Sequence, residues 1–162
     1  MSPPEAIGHA FLAIWALQAA YADTLDRKDF DGWPALFTDD GRYTILSAEN
    51  VARGHALPIL DYTHPPMMRD RMVALREAAV FTQATERRLF GNLRVSPVND
   101  GLYRASSNVA IYRTDNIEGT TSLFVTGRYE DEIRLDATSV LFRSRTVHVD
   151  TFSIPNHIGF PL

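Results

Sequence analysis

The second half of the sequence, residues 87–150, consists mainly of long segments rich in β-branched and aromatic residues, which favour strands. Only short polar stretches separate these segments, and strands joined by turns this short pair in an antiparallel manner. Gly91 and Gly127 fall inside two of the segments, where they fit bulges or bends that curve a sheet. The pattern therefore predicts a curved antiparallel meander of four strands: RRLFGNLRVS, LYRASSNVAIYRT, TSLFVTGRYEDEIRL and SVLFRSRTVHVD.

The first half predicts helices. A capping box at residues 2–5 opens a long helix, and a second helix runs from Thr63 or Pro65 to about Ala79. Helices that precede a run of strands indicate an α+β domain, with the sheet wrapped around the long N-terminal helix. The length fits one domain spanning residues 1–162. The apolar stripe expected to face the sheet on the first helix contains Ile7, Phe11, Ile14, Gln18, Tyr21 and Leu25.

The stretch from Tyr21 to Tyr43 leads from the long helix into the first predicted strand. It predicts the end of the long helix, a short helix presenting Trp33, Leu36 and Phe37, a turn at residues 39–41, and a strand over 42–47. A further strand is predicted over 56–62. This succession is typical of curved-sheet cone domains of the cystatin-like and nuclear-transport-factor-like kind.

Composition excludes several function classes. A formal net charge of −4 argues against a nucleic-acid-binding domain. The absence of cysteine excludes disulfides, zinc ribbons and iron–sulfur ligation by this chain. No signal peptide or membrane-spanning segment is evident, so a cytoplasmic protein without membrane contact is predicted. The five histidines show neither the close helical spacing of a preformed ligand pair nor a metalloprotease pattern, and no metal site is predicted.

The last strand carries the best candidate for chemistry. His148 and Asp150 alternate with valines, so they project from one face together with Ser144 and Thr146. One interpretation completes an acid/base pocket with groups from the facing helix, as in a stand-alone dehydratase or isomerase. The other pairs His148 and Asp150 with arginines of neighbouring strands or with a partner protein. The helix groups in question are Tyr21 and Gln18, and Gln18 is alternatively a structural amide with buried partners.

Five segments together resemble a known family. They are Tyr21–Tyr43, MMRDRMVALRE (67–77), RRLFGNLRV (87–95), GRYEDE (127–132) and RSRTVHVD (143–150). In this order they resemble the small (β) subunit of bacterial aromatic-ring-hydroxylating dioxygenases, the Rieske non-haem iron oxygenases. The compact length and the ending IPNHIGFPL look most like the branch that acts on salicylate, terephthalate and benzoate.

The resemblance implies a cone-fold subunit that organises a larger α subunit, commonly in an α3β3 hexamer. The α subunit would carry the [2Fe–2S] cluster and the mononuclear Fe(II), and electrons would come from NAD(P)H through a reductase, sometimes with a ferredoxin. The family has no catalytic motif in this subunit, so no catalytic, cofactor-binding or metal-binding residue is assigned. Trp33, Tyr43 and the RYED segment are interpreted as scaffold. A small-molecule-binding domain of the same fold is a third hypothesis.

A subunit of this kind needs apolar residues that become buried on assembly. Candidates outside the clean amphipathic patterns are Met67, Met68, Phe81, Phe152 and Phe160. The tail 152–162 is too apolar to be a free tail, so it is expected to pack along a neighbouring chain or across its own domain.

Overall fold

The computed structural model describes residues 3–55, 57–77, 84–151 and 161–162. The helices are α1 (Pro3–Asp26), α2 (Ala48–Ala52) and α3 (Pro65–Glu77), and a short 3-10 helix spans Pro34–Leu36. The strands are β1 (Phe37–Ser47), β2 (Leu60–Tyr62), β3 (Ala84–Asn99), β4 (Leu102–Asp115), β5 (Thr121–Leu135) and β6 (Val140–Val149). The α+β prediction is confirmed. None of the helices in these ranges has the length and apolar character needed to cross a membrane.

The six strands form one sheet in the order β2-β1-β6-β5-β4-β3. Strands β3 to β6 pair antiparallel in succession, which confirms the predicted meander. Strand β1 pairs with β6 in parallel, a pairing that the sequence pattern did not predict. It arises because the meander starts at the far edge and brings β6 back beside β1, and β1 and β6 are distant in sequence.

Helix α1 covers one side of the sheet, which we call the inner face; the opposite side is the outer face. The buried stripe of α1 contains Ala10, Ile14, Leu17 and Tyr21, at the spacing of one helical face. The predicted stripe was wrong at its beginning, because Ile7 and Phe11 are exposed. The predicted stripe and the observed stripe both follow helical periodicity, because α1 has apolar residues around most of its circumference. The sequence pattern therefore did not distinguish between them.

The segment around Asp39 and Asp40 is part of a strand, so the turn predicted at residues 39–41 is wrong. Strand β1 begins at Phe37, and its register with β6 shifts between Phe37 and Arg42, which marks a bulge. A side chain at Gly41 would place its Cβ 2.7 Å from Cβ of Phe37, so the bulge requires glycine there.

Other boundaries also differ from prediction. Strand β2 is shorter than the predicted 56–62, and position 56 lies outside the described residues. Helix α3 is described as far as Glu77, so its predicted continuation to Ala79 is not covered. Helix α2 was not predicted; the Ser47 side chain caps it by accepting a hydrogen bond from the Asn50 amide at 3.4 Å.

The two strand glycines have different roles. Gly91 borders a register shift in β3, as predicted. Gly127 of β5 pairs with β4 on one side and β6 on the other, and neither pairing shifts in register at this position. A Cβ added at Gly127 would collide with the His148 carbonyl oxygen. Close approach of two backbones therefore explains Gly127 better than a bulge does.

The prediction that Met68 becomes buried only in a complex is wrong, because Met68 is fully buried within this chain. Its position on α3 faces the core beside Met72. Met67 is 36% exposed and remains a candidate for an interface. Phe81, Phe152 and Phe160 lie outside the described residues.

Candidate functional site

Strand β6 carries a charged side chain in the interior, close to a bulge. The register between β5 and β6 shifts so that Ile133 pairs with Phe142 and Glu132 with Ser144, which leaves Arg143 as the extra residue. Residues three apart on a regular strand point to opposite faces, but the extra residue allows both Phe142 and Arg145 to point to the inner face. Arg145 is fully buried.

Arg145 is bound by two side chains from other elements. Its Nε and Nη2 donate to the Asp131 carboxylate at 2.8 and 2.9 Å, which is bidentate pairing. Gln18 of α1 donates from Nε2 to Asp131 Oδ2 at 2.6 Å and accepts from Arg145 Nη2. The interpretation of Gln18 as a buried amide with its partners is therefore confirmed.

Three aromatic rings enclose the Arg145 guanidinium. Its Cζ lies 4.0 Å from the ring centroids of Tyr21 and Tyr129 and 4.1 Å from that of Phe142. Burial disfavours the charged form, but attraction to Asp131 outweighs this effect and raises the Arg145 pKa above its usual range. Arg145 is thus a permanent cation that holds α1, β5 and β6 together, and it is unsuited to transferring protons.

A second ionic cluster ties α1 to β3 and β4. Arg88 pairs with Asp26 at 2.7 Å and with Glu86 at 2.9 Å, and Arg113 pairs with Glu86 at 2.6 Å. Burial opposes ionisation of Glu86, yet Arg88 and Arg113 lower its pKa below the usual value. Arg113 also lies over the Phe124 ring, 3.4 Å from its centroid.

The last two residues of the sequence are bound within this interior. The Pro161 carbonyl accepts from Arg88 at 2.9 Å, and the Leu162 carbonyl accepts from the Tyr21 hydroxyl at 2.6 Å. The Leu162 amide donates to the Tyr43 hydroxyl at 2.8 Å. Burial raises the pKa of both tyrosines, so the hydroxyls stay neutral. Positions 161–162 therefore pack against their own domain, while 152–160 lie outside the described residues.

Most of the residues interpreted as scaffold are buried, and the exceptions are Arg128 and Glu130 of the RYED segment, which are each about half exposed. Trp33 is fully buried and packs edge-on against Tyr43, with ring centroids 5.2 Å apart. Tyr129 and Asp131 of the RYED segment belong to the Arg145 cluster. These side chains pack between α1 and the inner face of the sheet.

On the outer face, His148 and Asp150 line one open groove of about 520 Å³, as their predicted common face requires. His148 Nε2 lies 3.0 Å from Glu130 Oε2, and Arg128 pairs with the same carboxylate at 2.8 Å. The groove lies between α2 and strands β4 to β6, and its α2 side contains Ala48, Val51 and Ala52.

The pocket proposed between His148, Asp150 and Tyr21 is wrong. Val147 and Val149 are buried toward α1, so the alternating His148 lies on the outer face. Tyr21 is on the inner side, where its hydroxyl is bound to Leu162, and it does not line the groove. The alternative interpretation, in which His148 pairs with a charged residue of a neighbouring strand, agrees better with the structure, although the partner is a glutamate and not an arginine.

Sequence reasoning missed the Arg145–Asp131 pair, although a signal was present. Arg145 alternates with Val147 and Val149, and Asp131 alternates with Tyr129 and Ile133, so each charge occupies an inward position of its strand. Opposite charges at inward positions of two adjacent long strands predict a buried ion pair.

The donor set does not fit an iron–sulfur cluster. A Rieske centre takes two cysteine and two histidine ligands, and the sequence has no cysteine. Within the ranges that the structure describes, no group of three His, Cys, Asp or Glu side chains could hold a metal ion.

Comparison with known proteins identifies the family. The chain is 28% identical to the anthranilate 1,2-dioxygenase small subunit of Burkholderia cepacia over 92% of each chain. It is 28% identical to the terephthalate 1,2-dioxygenase terminal oxygenase component subunit beta 1 of a Comamonas species, over 93% of this chain and 97% of the relative. A beta subunit from Novosphingobium aromaticivorans, assigned to an aromatic-ring-hydroxylating dioxygenase, superposes with a TM-score of 0.85 at 31% identity, covering 93% of this chain and 95% of that one. The family model for the ring hydroxylating beta subunit matches residues 20–156, and the chain therefore belongs to this family.

Proposed function

We propose that this chain is the structural small subunit of a Rieske-type oxygenase that hydroxylates an aromatic acid. The observation that carries the proposal is the family match over residues 20–156, together with the interior position of Arg145. The relatives named above act on anthranilate and terephthalate, which are both aromatic carboxylates. That shared chemistry supports an aromatic acid as the substrate class of the complex.

In this proposal the chain contributes no catalytic group, cluster ligand or metal ligand. The large subunit holds the [2Fe–2S] cluster and the mononuclear Fe(II), whose chemistry is oxygen activation at the aromatic ring. NAD(P)H supplies electrons through a reductase, with or without a ferredoxin, and the assembly is an α3β3 hexamer in the cytoplasm. The lack of cysteine in this chain supports placing the cluster in the partner.

The buried ionic clusters support a scaffolding role. Arg145 connects α1 to β5 and β6 through the buried Gln18 and Asp131, and Arg88 connects α1 to β3 through Asp26, whose side chain is 11% exposed. Paired and hydrogen-bonded charges in a dry interior fix one arrangement of the elements around them. A subunit with this interior offers its partners a surface of fixed shape.

Co-expression with a large Rieske subunit encoded beside this chain tests the proposal. We expect a red-brown complex of fixed stoichiometry, whereas the chain purified alone is colourless and converts no aromatic acid. Failure of the two chains to co-purify, or turnover by this chain alone, would contradict the proposal.

A further inference from the structure

Helix α1 carries a second apolar stripe that faces away from the sheet. Ile7 is 47% exposed, Phe11 37%, Leu12 68% and Trp15 50%. We call these four side chains, together with Gly8, the outer stripe; it belongs to α1 and is separate from the outer face of the sheet. Most exposed helices keep polar residues on the solvent side, and a helix that is apolar all round is normally covered by other protein. From Ala6 to Ala20 the sequence has no Asp, Glu, Lys or Arg.

Gly8 supplies an independent observation. Glycine inside a helix is less favourable than alanine, so its presence usually has a packing reason. The residues that the structure describes provide none, because a Cβ added at Gly8 would meet no atom within 4 Å. Gly8 precedes Leu12 and Trp15 at spacings of four and seven residues, which places the three on one face. A notch in the middle of an exposed apolar stripe admits a side chain or backbone from another molecule.

The neighbouring strand extends this surface. Trp15 packs against Phe90 of β3 with ring centroids 6.0 Å apart. Strand β3 is the long edge strand of the sheet. The outer stripe therefore adjoins an edge of the sheet at which β3 pairs with no further strand of the described residues, and a partner on the stripe can also contact that edge.

The area of the outer stripe indicates the kind of partner. Taking ~150–250 Å² for a complete large side chain, the exposed fractions sum to roughly 400 Å². This is about half of the ~800 Å² that each partner buries in a stable interface. Two copies of the stripe alone would bury roughly 800 Å² in total, below the ~1,200 Å² at the low end of stable interfaces, whereas a larger partner can add contacts with β3.

We propose that the outer stripe, with Gly8 as its notch, is a docking surface for the large subunit of the oxygenase. The inference rests on the proposed function, because it presupposes such a subunit. The partner surface must be apolar and uncharged, since the stripe offers no formal charge to pair with, and it must present a projecting side chain or backbone segment opposite Gly8.

Substitutions in the full chain, co-expressed with the large subunit, test this surface. Leu12→Glu should weaken association by about 30-fold, because it buries an unpaired charge at the interface. Ala20→Glu is the matched control, since Ala20 is exposed but lies five residues beyond Trp15, about 140° away around α1, and should change association by less than about threefold. Gly8→Gln should weaken association by about tenfold without lowering the melting temperature of the lone chain, because the position is open within the chain.

Hydroxyl-radical footprinting reads the same surface without substitution. The sequence has two tryptophans, and Trp33 is fully buried. Trp15 should be readily oxidised in the lone chain and become protected in the complex, while Trp33 stays protected in both.

The outcomes separate the two proposals. If the wild-type chain does not co-purify with the large subunit, the proposed function fails before the stripe is tested. If it co-purifies and Leu12→Glu binds equally well, the docking proposal is wrong. It is also wrong if the lone chain forms a dimer that Leu12→Glu separates, or if Trp15 is already protected in a monomeric lone chain.

Discussion

Arg145 and Arg128 lie on opposite faces of the same sheet, and each pairs with an acidic residue of β5. The Arg145–Asp131 pair has no exposed side-chain surface, whereas Arg128 and Glu130 are each about half exposed. Chemically similar ion pairs therefore have different consequences. The inner pair cannot lose one partner without leaving a charge away from water, while the outer pair can exchange its partner for solvent.

The largest expected effect is at the inner pair. Arg145→Met should lower the free energy of unfolding by about 3–5 kcal/mol, because Asp131 is left buried and unpaired. Arg128→Met should change it by less than about 1 kcal/mol. Urea denaturation of both variants measures the difference. Equal losses of unfolding free energy in the two variants would contradict the contrast between the faces. Recovery of stability in an Arg145→Met/Asp131→Leu double variant would show that the loss comes from the unpaired Asp131.

The second ionic cluster predicts a dependence on pH. The Glu86 pKa is lowered in the folded state, so its stabilising contribution is complete above the unfolded pKa of about 4.3 and is lost as the pH falls through the lowered folded pKa. Glu86→Gln should cost about 1–3 kcal/mol at neutral pH, because two arginines lose their charged acceptor.

Urea titrations between pH 2 and pH 7 measure this effect. Below about pH 4 the wild-type chain and Glu86→Gln should converge in stability. Parallel curves across the whole range would mean that Glu86 has the same pKa in the folded and unfolded states.

A smaller loss is expected where the last residues are held. Tyr43→Phe removes the acceptor of the Leu162 amide and should cost about 1–2 kcal/mol, since a buried donor is left without a partner. Tyr112→Phe, at an exposed position on β4, serves as the control. Thermal unfolding monitored by circular dichroism compares them; an unchanged transition for Tyr43→Phe would mean that this hydrogen bond does not anchor Leu162.

The smallest effect is expected at His148. His148→Ala should change the stability by less than about 1 kcal/mol and leave turnover by the assembled complex unchanged, because its partner Glu130 is half exposed and keeps Arg128. Steady-state assays of the complex with an aromatic acid measure turnover. A large loss of kcat would instead give the outer groove a role in the reaction.

The sequence predicted the two longer helices and the meander because both depend on local periodicity, but it missed the short helix α2. It missed the parallel pairing of β1 with β6, which depends on where a distant strand returns. It also placed a turn at Asp39 and Asp40, where the bulge needed Gly41.

The candidate site was the harder part. The common face of His148 and Asp150 was predicted correctly from strand alternation, since that is a local property. The sequence pattern does not show which side of the sheet α1 covers, because that is a tertiary property. The predicted pocket was wrong for this reason, since Tyr21 and His148 lie on opposite sides of the sheet. Arg145 shares the inward alternation of Val147 and Val149, so its burial beside Asp131 is a local property that the strand pattern could have predicted.

The most direct test measures which of the two chains holds the iron. The complex of this chain with the large Rieske subunit is separated into its two chains under mild denaturation, and iron and acid-labile sulfide are measured in each fraction. The account predicts that all cluster iron and sulfide accompany the large subunit, in a complex containing equal numbers of the two chains. Stoichiometric iron in the fraction of this chain, or a complex that forms without it, would contradict the account.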